Sequence, residues 1–479
     1  MAKSLLDKDV SVINAGIAEF TRSIAENGAP VLQTDWRPVG NGDPDLAWTL
    51  ARLAGDDDDP AATGSRIDQA NAEAAQRMIL ARPILVDVAL HAREVWPEMG
   101  KMLLHAGAPV GWHSMCGPMQ GAMIGGALYE GWAESAEDAR TLLAGGAIKY
   151  APCHRYGAVG PMSGIISPSM PVFVVRNATH GNLAYTNMSE GIGKVLRFGA
   201  NSASVIAHLR WIERVLAPGL KHAVGAIDGG VDLKAIQSQA LLMGDEVHSR
   251  NSAATCLFFS AVVIPLIDSD LDRGAVKEIL AYIGGNSQFF LNLSMVSAKA
   301  TMDAAHGVPD SSIVTAISRN GVTTAIRVSG LDGRWFEAPS DMPVGLFFPG
   351  FKQEDANADL GDSAIAETAG FGGLSLAASP ALLQLVGGTV VDAISYSREM
   401  YGITQTRNPA MSLPLLDFMG SPTGIDVRKV VDTGIRPVIT TGIAHKEAGV
   451  GQIGAGIVRA PMTCFTQAVA ALAEALAVS

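Results

Sequence analysis

A β-branched run, a stretch with apolar residues at helical spacing and a second β-branched run open the chain, and this order constrains the fold more than any other feature. "VSVIN" (10–14), "GIAEFTRSIAEN" (16–27) and "PVLQTDW" (30–36) predict a βαβ unit. Such a unit sets the N-terminus of its helix beside the carboxyl ends of parallel strands, where free N–H groups and the helix dipole favour an anion. Asn14 and Gly16 fall at that turn. Asp35 and Arg37 follow the second strand at the rim of the same crevice. There a guanidinium can offer a bidentate fork to a carboxylate or phosphate, unless the two residues simply form a surface ion pair.

Downstream, "GDDDDPAATG" (55–64) reads as a solvated acidic loop, "RIDQANAEAAQRMILA" as a helix and "PILVDVAL" as a strand that extends the alternation. The expected class is α/β, and 479 residues exceed what one core usually serves. Three parts are expected: a Rossmann-like α/β domain over 1–97, a mixed and largely helical middle over 98–300, and an α+β domain over 301–479. Within the middle, "MCGPMQGAMIGGALYEGWA" (115–133) predicts a closely packed helix, and 189–216 and 233–264 read as helical stretches. "AATCLFFSAVVIPLI" (253–267) is too short to span a membrane and predicts a buried helix.

A net charge of -12 without a Lys/Arg-rich run argues against a nucleic-acid surface. The four cysteines, 116, 153, 256 and 464, form no CxxC pair, so neither a disulfide framework nor a zinc site is expected. No cofactor or metal is expected. The N-terminus lacks the apolar core of a signal peptide, and the expected compartment is the reducing cytoplasm.

The chemistry-bearing candidates are scattered. On a helix, Asp245, His248, Ser249 and Ser252 would share a face, and Glu246 and Arg250 would form an i, i+4 pair. His248 and His445 are candidates for proton transfer or for polarising a carbonyl, and either can equally be a hydrogen-bonded structural histidine. Arg319 and Asn320 sit at a strand-to-turn junction, with Asp362 and Glu367 available to orient such arginines. Cys153 and His154 are adjacent, and on a strand would face opposite ways. Gly449, Gly451 and Gly454 match G-x-G-x-x-G, but the acid expected about 20 residues on falls within the terminal helix near Glu474. The loop therefore reads as tight packing or as an anion site, with a nicotinamide dinucleotide site as the remaining alternative. Walker A, G-x-S-x-G and H-E-x-x-H patterns are absent, so no nucleophile stands out.

Several long segments, among them "TDWRPVGNGD", "AVGPMSGIISPSMPVFVV", "EGIGKVLRFGA", "GDEVHSRNSAAT", "FFLNLSMVSAKA", "GDSAIAETAGFGG" and "GVGQIGAG", occur in an order that resembles the YahG/YlbE-like family over nearly the whole chain. The resemblance implies a subunit of an oxamate carbamoyltransferase, exchanging oxamate and carbamoyl phosphate for oxalurate and phosphate in allantoin breakdown. It also implies an FdrA-like subunit and a third, smaller one as partners. The Ser-Thr-Arg-Thr-type loop and His-Pro motif of ordinary carbamoyltransferases are missing, so the architecture must differ.

Carbamoyl transfer needs cations for phosphate and carboxylate and donors for a developing oxyanion. His248, Arg250, Asn251 and Arg319 are assigned to catalysis on this reading. Asn14, Gly16, Asp35, Arg37, Asn320, Gly449, Gly451 and Gly454 are assigned to substrate binding. A non-catalytic, metabolite-binding scaffold subunit is the competing class, and a dehydrogenase the third.

Overall fold

The computed structural model describes residues 11–34, 38–54, 59 and 61–477. Strand β1 (Val12–Ala15), helix α1 (Ala18–Glu26) and strand β2 (Val31–Thr34) form the expected βαβ unit, with β1 and β2 parallel and Asn14 opposite Gln33. Period-2 geometry turns Val12, Asn14, Val31 and Gln33 toward α1 and leaves Ile13 and Leu32 on the open face, 71% and 63% exposed. Helix α1 buries none of its residues, and the unit packs chiefly on itself.

Helix α2 (Pro44–Arg52) starts at Asp43, whose carboxylate accepts the N–H groups of Asp45 and Leu46. Helix α3 (Thr63–Leu80) buries Ile67, Ala70, Ala74 and Met78, one stripe at helical spacing. Strand β3 (Pro83–Ala89) corrects the expected alternation. It does not join β1 and β2 but pairs antiparallel with Val172–Asn177 and Val231–Asp232 in a five-stranded sheet. Pro83, Ile84 and Leu85 are buried, as suits an interior strand, and both edges of β3 are paired by strands from later in the chain.

Helix α4 (Gly117–Tyr129) is buried on all sides, as its mixture of Gly, Ala and Met predicts. The two long helical readings of the middle region need correction. Residues 189–202 form a loop that turns at Gly191, Gly193 and Gly199, and the helix begins only at Ala203. In 233–264, one helix covers Leu233–Leu242 and another Ser252–Ile267, with an irregular loop between them. The second is buried on one side only. Phe258, Val262 and Leu266 face neighbouring helices, while Ile264 and Ile267 are 60% and 57% exposed, because this helix lies at the edge of its layer.

One hydrophobic core gathers around helix Phe290–Ala304, β3 and α4. A second joins α2 to the antiparallel strands Val314–Asn320 and Thr323–Val328 and to the terminal helix Met462–Ala477. Strands Val344–Phe347, Gln452–Arg459 and Val438–Ala444 complete a three-stranded sheet beside it. Among the described residues no helix is long and apolar enough to cross a membrane.

Because the βαβ unit gives no side chain to either core, deleting residues 1–34 is expected to move the thermal midpoint by less than about 2 °C. Phe290→Ala, which empties a fully buried site, should cost about 3–5 kcal/mol. Thermal and urea denaturation of both variants checks the contrast.

Candidate active site

Strand Val314–Asn320 is buried throughout, so alternate residues must be satisfied on opposite faces. On one face Arg319, with no exposed surface, donates from Nε to Asp359 Oδ2 at 2.8 Å and from Nη2 to Asp359 Oδ1 at 3.2 Å. Nη2 also reaches Ser363 Oγ at 3.3 Å, and Thr441 Oγ1 donates to Asp359 Oδ1 at 2.8 Å. Nη1 is buried and has no hydrogen-bond partner among the described residues. On the other face Ser318 Oγ donates to Asp362 Oδ1 at 2.6 Å, and the N–H groups of Gly107 and Gly160 complete that carboxylate. His154 Nε2 lies 3.3 Å from Asp362 Oδ1. Burial pushes the His154 imidazole below its ordinary range, and the Asp362 carboxylate opposes that fall. Burial alone would raise the Asp362 carboxyl, but His154 and the surrounding donors outweigh it and keep the group ionised.

Between helices Leu233–Leu242 and Ser252–Ile267 the chain cannot continue as one helix. Gly244 has φ +97° and Val247 φ +62°, and a left-handed β-branched residue is strained. The expected helical face of Asp245, His248, Ser249 and Ser252 therefore does not form. The Glu246–Arg250 side-chain pair is replaced as well. Glu246 accepts the backbone N–H groups of His248 and Arg250 at 2.8 and 2.6 Å, while the Arg250 Nε lies 3.3 Å from Asp245 Oδ1.

This loop presents His248, whose Nδ1 is 2.8 Å from Glu367 Oε1. The same oxygen accepts the N–H groups of Gly373 and Thr440 at 3.0 and 3.1 Å. A side chain at position 372 would run into Glu367 and approach His248 Nδ1 to 3.1 Å, so glycine is required there. Burial is the largest influence on His248 and disfavours its charge, but Glu367, through charge and hydrogen bond, and Glu246 together overcome it and raise the imidazole above its usual value. Arg319 is near enough for its charge to oppose that rise, which places the two groups in one electrostatic neighbourhood. Burial, reinforced by Glu367 and opposed by His248, pushes Glu246 up to about 8.

Neighbouring residues of strand Val438–Ala444 touch both groups: Thr440 Oγ1 lies 3.4 Å from His248 Nδ1, and Thr441 Oγ1 donates to Asp359, the partner of Arg319. Asn251 stands behind them, donating from Nδ2 to His248 O at 2.5 Å and to Gln288 Oε1 at 3.1 Å. Arg250 is partly exposed at the edge of the loop. Asn320 is fully engaged in the hairpin turn, accepting from the N–H groups of Val322 and Thr323 and donating to Thr323 Oγ1 and Ala108 O. Asn14 bonds within the βαβ unit, to Ile17 O at 2.9 Å and Gln33 Oε1 at 2.6 Å, and Gly16 is exposed beside it. Asp35 and Arg37 lie outside the described residues.

The glycine fingerprint is corrected, since Gly449 and Gly451 precede strand Gln452–Arg459 and Gly454 lies inside it, against Leu346 O. A dinucleotide fingerprint needs strand, turn and then helix; this loop runs from strand to strand. Gly449 does line a cavity of about 620 Å³ that Arg140 and Lys194 also border. His445 accepts the Glu447 N–H in the same connection. Cys153 is fully buried, and burial pushes its thiol well up, so no thiolate pairs with His154.

Asp362 and Glu367, candidates for orienting such an arginine or for stabilising a helix start, do not pair with Arg319; its partner is Asp359. Lys299, absent from the candidates, is a fully buried lysine that burial lowers to about 8 and whose Nζ reaches Asp303 Oδ1 at 2.8 Å. Its one sequence signal is a lone cation four residues before an acid in an apolar helix.

An α/β protein with arginine, histidine and carboxylates enclosed at the meeting of its substructures is the class defined by fold and site. A family model described as "Oxamate carbamoyltransferase subunit AllG" matches residues 148–363, a span that holds His154, the 245–251 loop, Arg319, Asp359 and Asp362. The chain is 44% identical to "Uncharacterized protein YahG" of Escherichia coli over 98% of each chain. It is 48% identical to "Oxamate carbamoyltransferase subunit AllG" of E. coli over 86% of this chain and 99% of that protein. A crystal structure of a conserved protein of unknown function from Enterococcus faecalis superposes with a TM-score of 0.85 at 47% identity, covering 86% of this chain and 99% of the other. The chain belongs to the YahG/AllG family.

A carboxyl raised on folding contributes stability below its unfolded pKa, near 4.5, and loses it as the pH climbs through its folded value near 8. Glu246→Gln keeps the uncharged form at every pH. Its stability relative to the wild type should therefore improve steadily from pH 5 to pH 8 in urea denaturation, and a constant difference would contradict the placement of Glu246.

Proposed function

We propose that this chain is a subunit of a carbamoyltransferase that exchanges oxamate and carbamoyl phosphate for oxalurate and phosphate, acting with an FdrA-like subunit and a third, smaller one. The observation that carries the proposal is the 48% identity to an oxamate carbamoyltransferase subunit across 99% of that protein. In the forward direction the acceptor's amide nitrogen attacks the carbamoyl carbon, a C–N bond forms, the C–O bond to phosphate breaks, and the amide gives up a proton. The chemistry asks for a cation or donor for the developing oxyanion and a group able to hold that proton. The unpaired Nη1 of Arg319 suits the first task, and the His248–Glu367 pair suits the second. The proposed site of action is the cytoplasm.

One feature favours the scaffold reading as the second choice. Arg319, Glu246 and Glu367 have no exposed surface, so a partner or a conformational opening has to bring substrate to them.

Phosphate release from carbamoyl phosphate and oxamate separates the readings. The purified chain should show little turnover, and co-expression with the two partners should restore it, because positioning errors of about 1 Å cost on the order of a hundredfold. Arg319→Lys keeps the charge and loses the fork, and in the assembled enzyme it should lower kcat/KM by about 100-fold. Full activity from the single chain refutes the subunit requirement, and wild-type kcat/KM in the lysine variant refutes the role of Arg319.

A further inference from the structure

Strand Val438–Ala444 runs past both groups of the proposed site, and two adjacent threonines meet them. Thr440 stands on the histidine side: its N–H reaches Glu367 Oε1 at 3.1 Å and its Oγ1 lies 3.4 Å from His248 Nδ1. Thr441, 1% exposed, stands on the arginine side. Successive strand residues point to opposite faces, so the two carry different duties. The strand itself is fixed by its ladder with Gln452–Arg459, in which Thr440 faces Ile457 and Thr441 faces Gly456.

The hydroxyl of Thr441 has one proton and two acceptors in reach, Asp359 Oδ1 at 2.8 Å and Gly442 O at 3.2 Å. The shorter contact, to the carboxylate, is the stronger. Among the described residues the Asp359 carboxylate then takes three hydrogen bonds: Arg319 Nε on Oδ2, and Arg319 Nη2 together with Thr441 on Oδ1. The main chain of Asp359 is held as well, its N–H donating to Asp341 O and its carbonyl accepting the Gly321 N–H. What the backbone leaves open is the side-chain torsion that aims the carboxylate. A guanidinium offers a side-on fork through Nε and Nη2 and an end-on fork through Nη1 and Nη2. Asp359 takes the side-on fork, whereas the end-on fork would consume Nη1, the nitrogen without a partner among the described residues.

We propose that Thr441 is a positioning residue for the transfer: by holding Oδ1 it keeps Asp359 on the side-on fork and so keeps Nη1 of Arg319 available to the developing oxyanion. The inference rests on the reading of Arg319 as the oxyanion donor. Valine at this position has nearly the volume of threonine but no donor, so Oδ1 loses one of its two hydrogen bonds in a buried site. The carboxylate is then released to seek another N–H, and Nη1 is the unpaired donor of the same guanidinium.

Crystal structures of the full-length wild type and of Thr441→Val read the fork without requiring turnover. The wild type should show the side-on pair and the variant the end-on pair with Nη1 engaged. Thr441→Ala also lacks the hydroxyl and gives the same reading if the valine variant does not fold. In the assembled enzyme, Thr441→Val should lower kcat by about 10- to 100-fold and leave KM for both substrates unchanged, and Thr441→Ser, which restores the donor, should recover most of the rate. The pH profile should keep its shape, because Thr440 and the His248–Glu367 pair stay in place, whereas displacement of the whole strand would alter it. A side-on fork in the hydroxyl-free variants, wild-type kcat in Thr441→Val, or a pH profile that changes along with the rate overturns the role of Thr441. Absence of carbamoyl transfer from the wild-type assembly instead overturns the reaction, while the crystal structures still decide the fork.

Discussion

Three carboxylates on one short segment, Asp359, Asp362 and Glu367, hold the interior together by taking charge and hydrogen bonds from three different parts of the fold. Asp359 forks with Arg319, Asp362 receives Ser318 and two backbone N–H groups beside His154, and Glu367 holds His248. Each acid is fully or almost fully buried. A buried charge without a partner costs about 3–5 kcal/mol, so the segment, the hairpin, the 153–156 turn and the 245–251 loop constrain one another.

Such an arrangement is a poor way to gain stability, since well-packed apolar residues would serve as well or better. Its residue is directional chemistry: a guanidinium with one nitrogen unpartnered among the described residues, an imidazole paired with a buried carboxylate, and a second imidazole beside Asp362. The strain at Val247, next to His248, is consistent with a backbone set for a task rather than for packing. Hydrogen bonds through Asn286, Gln288 and Asn251 also tie the backbone of the His248 loop to the wall of a cavity at Glu190.

Local periodicity made much of the scaffold legible. The βαβ unit, α3, β3 and α4 each lie where spacing of apolar residues put them, and residue type alone made His248, Asn251 and Arg319 candidates. The failures share a cause. Asp245, His248, Ser249 and Ser252 fit a helical spacing by coincidence, and only Gly244 hinted at the break. The Arg319–Asp359 fork joins residues forty positions apart across two chain segments, so no local spacing predicts it. The glycines at 449, 451 and 454 matched a fingerprint whose meaning depends on a following helix, and a strand follows instead. Glu190 and Lys194 lay inside a segment read as helix, where the glycines at 191 and 193 were the signal for a loop.

Glu367→Gln in the assembled enzyme separates a chemical role of the acidic segment from a purely structural one. The amide keeps a hydrogen-bond acceptor for Gly373 and Thr440 but removes the charge that holds the His248 proton. Measured per folded enzyme, kcat should fall by about 100-fold, on the scale of a lost acid–base group, with its pH dependence altered. A variant whose kcat per folded enzyme and pH profile match the wild type would show that Glu367 and His248 are structural alone.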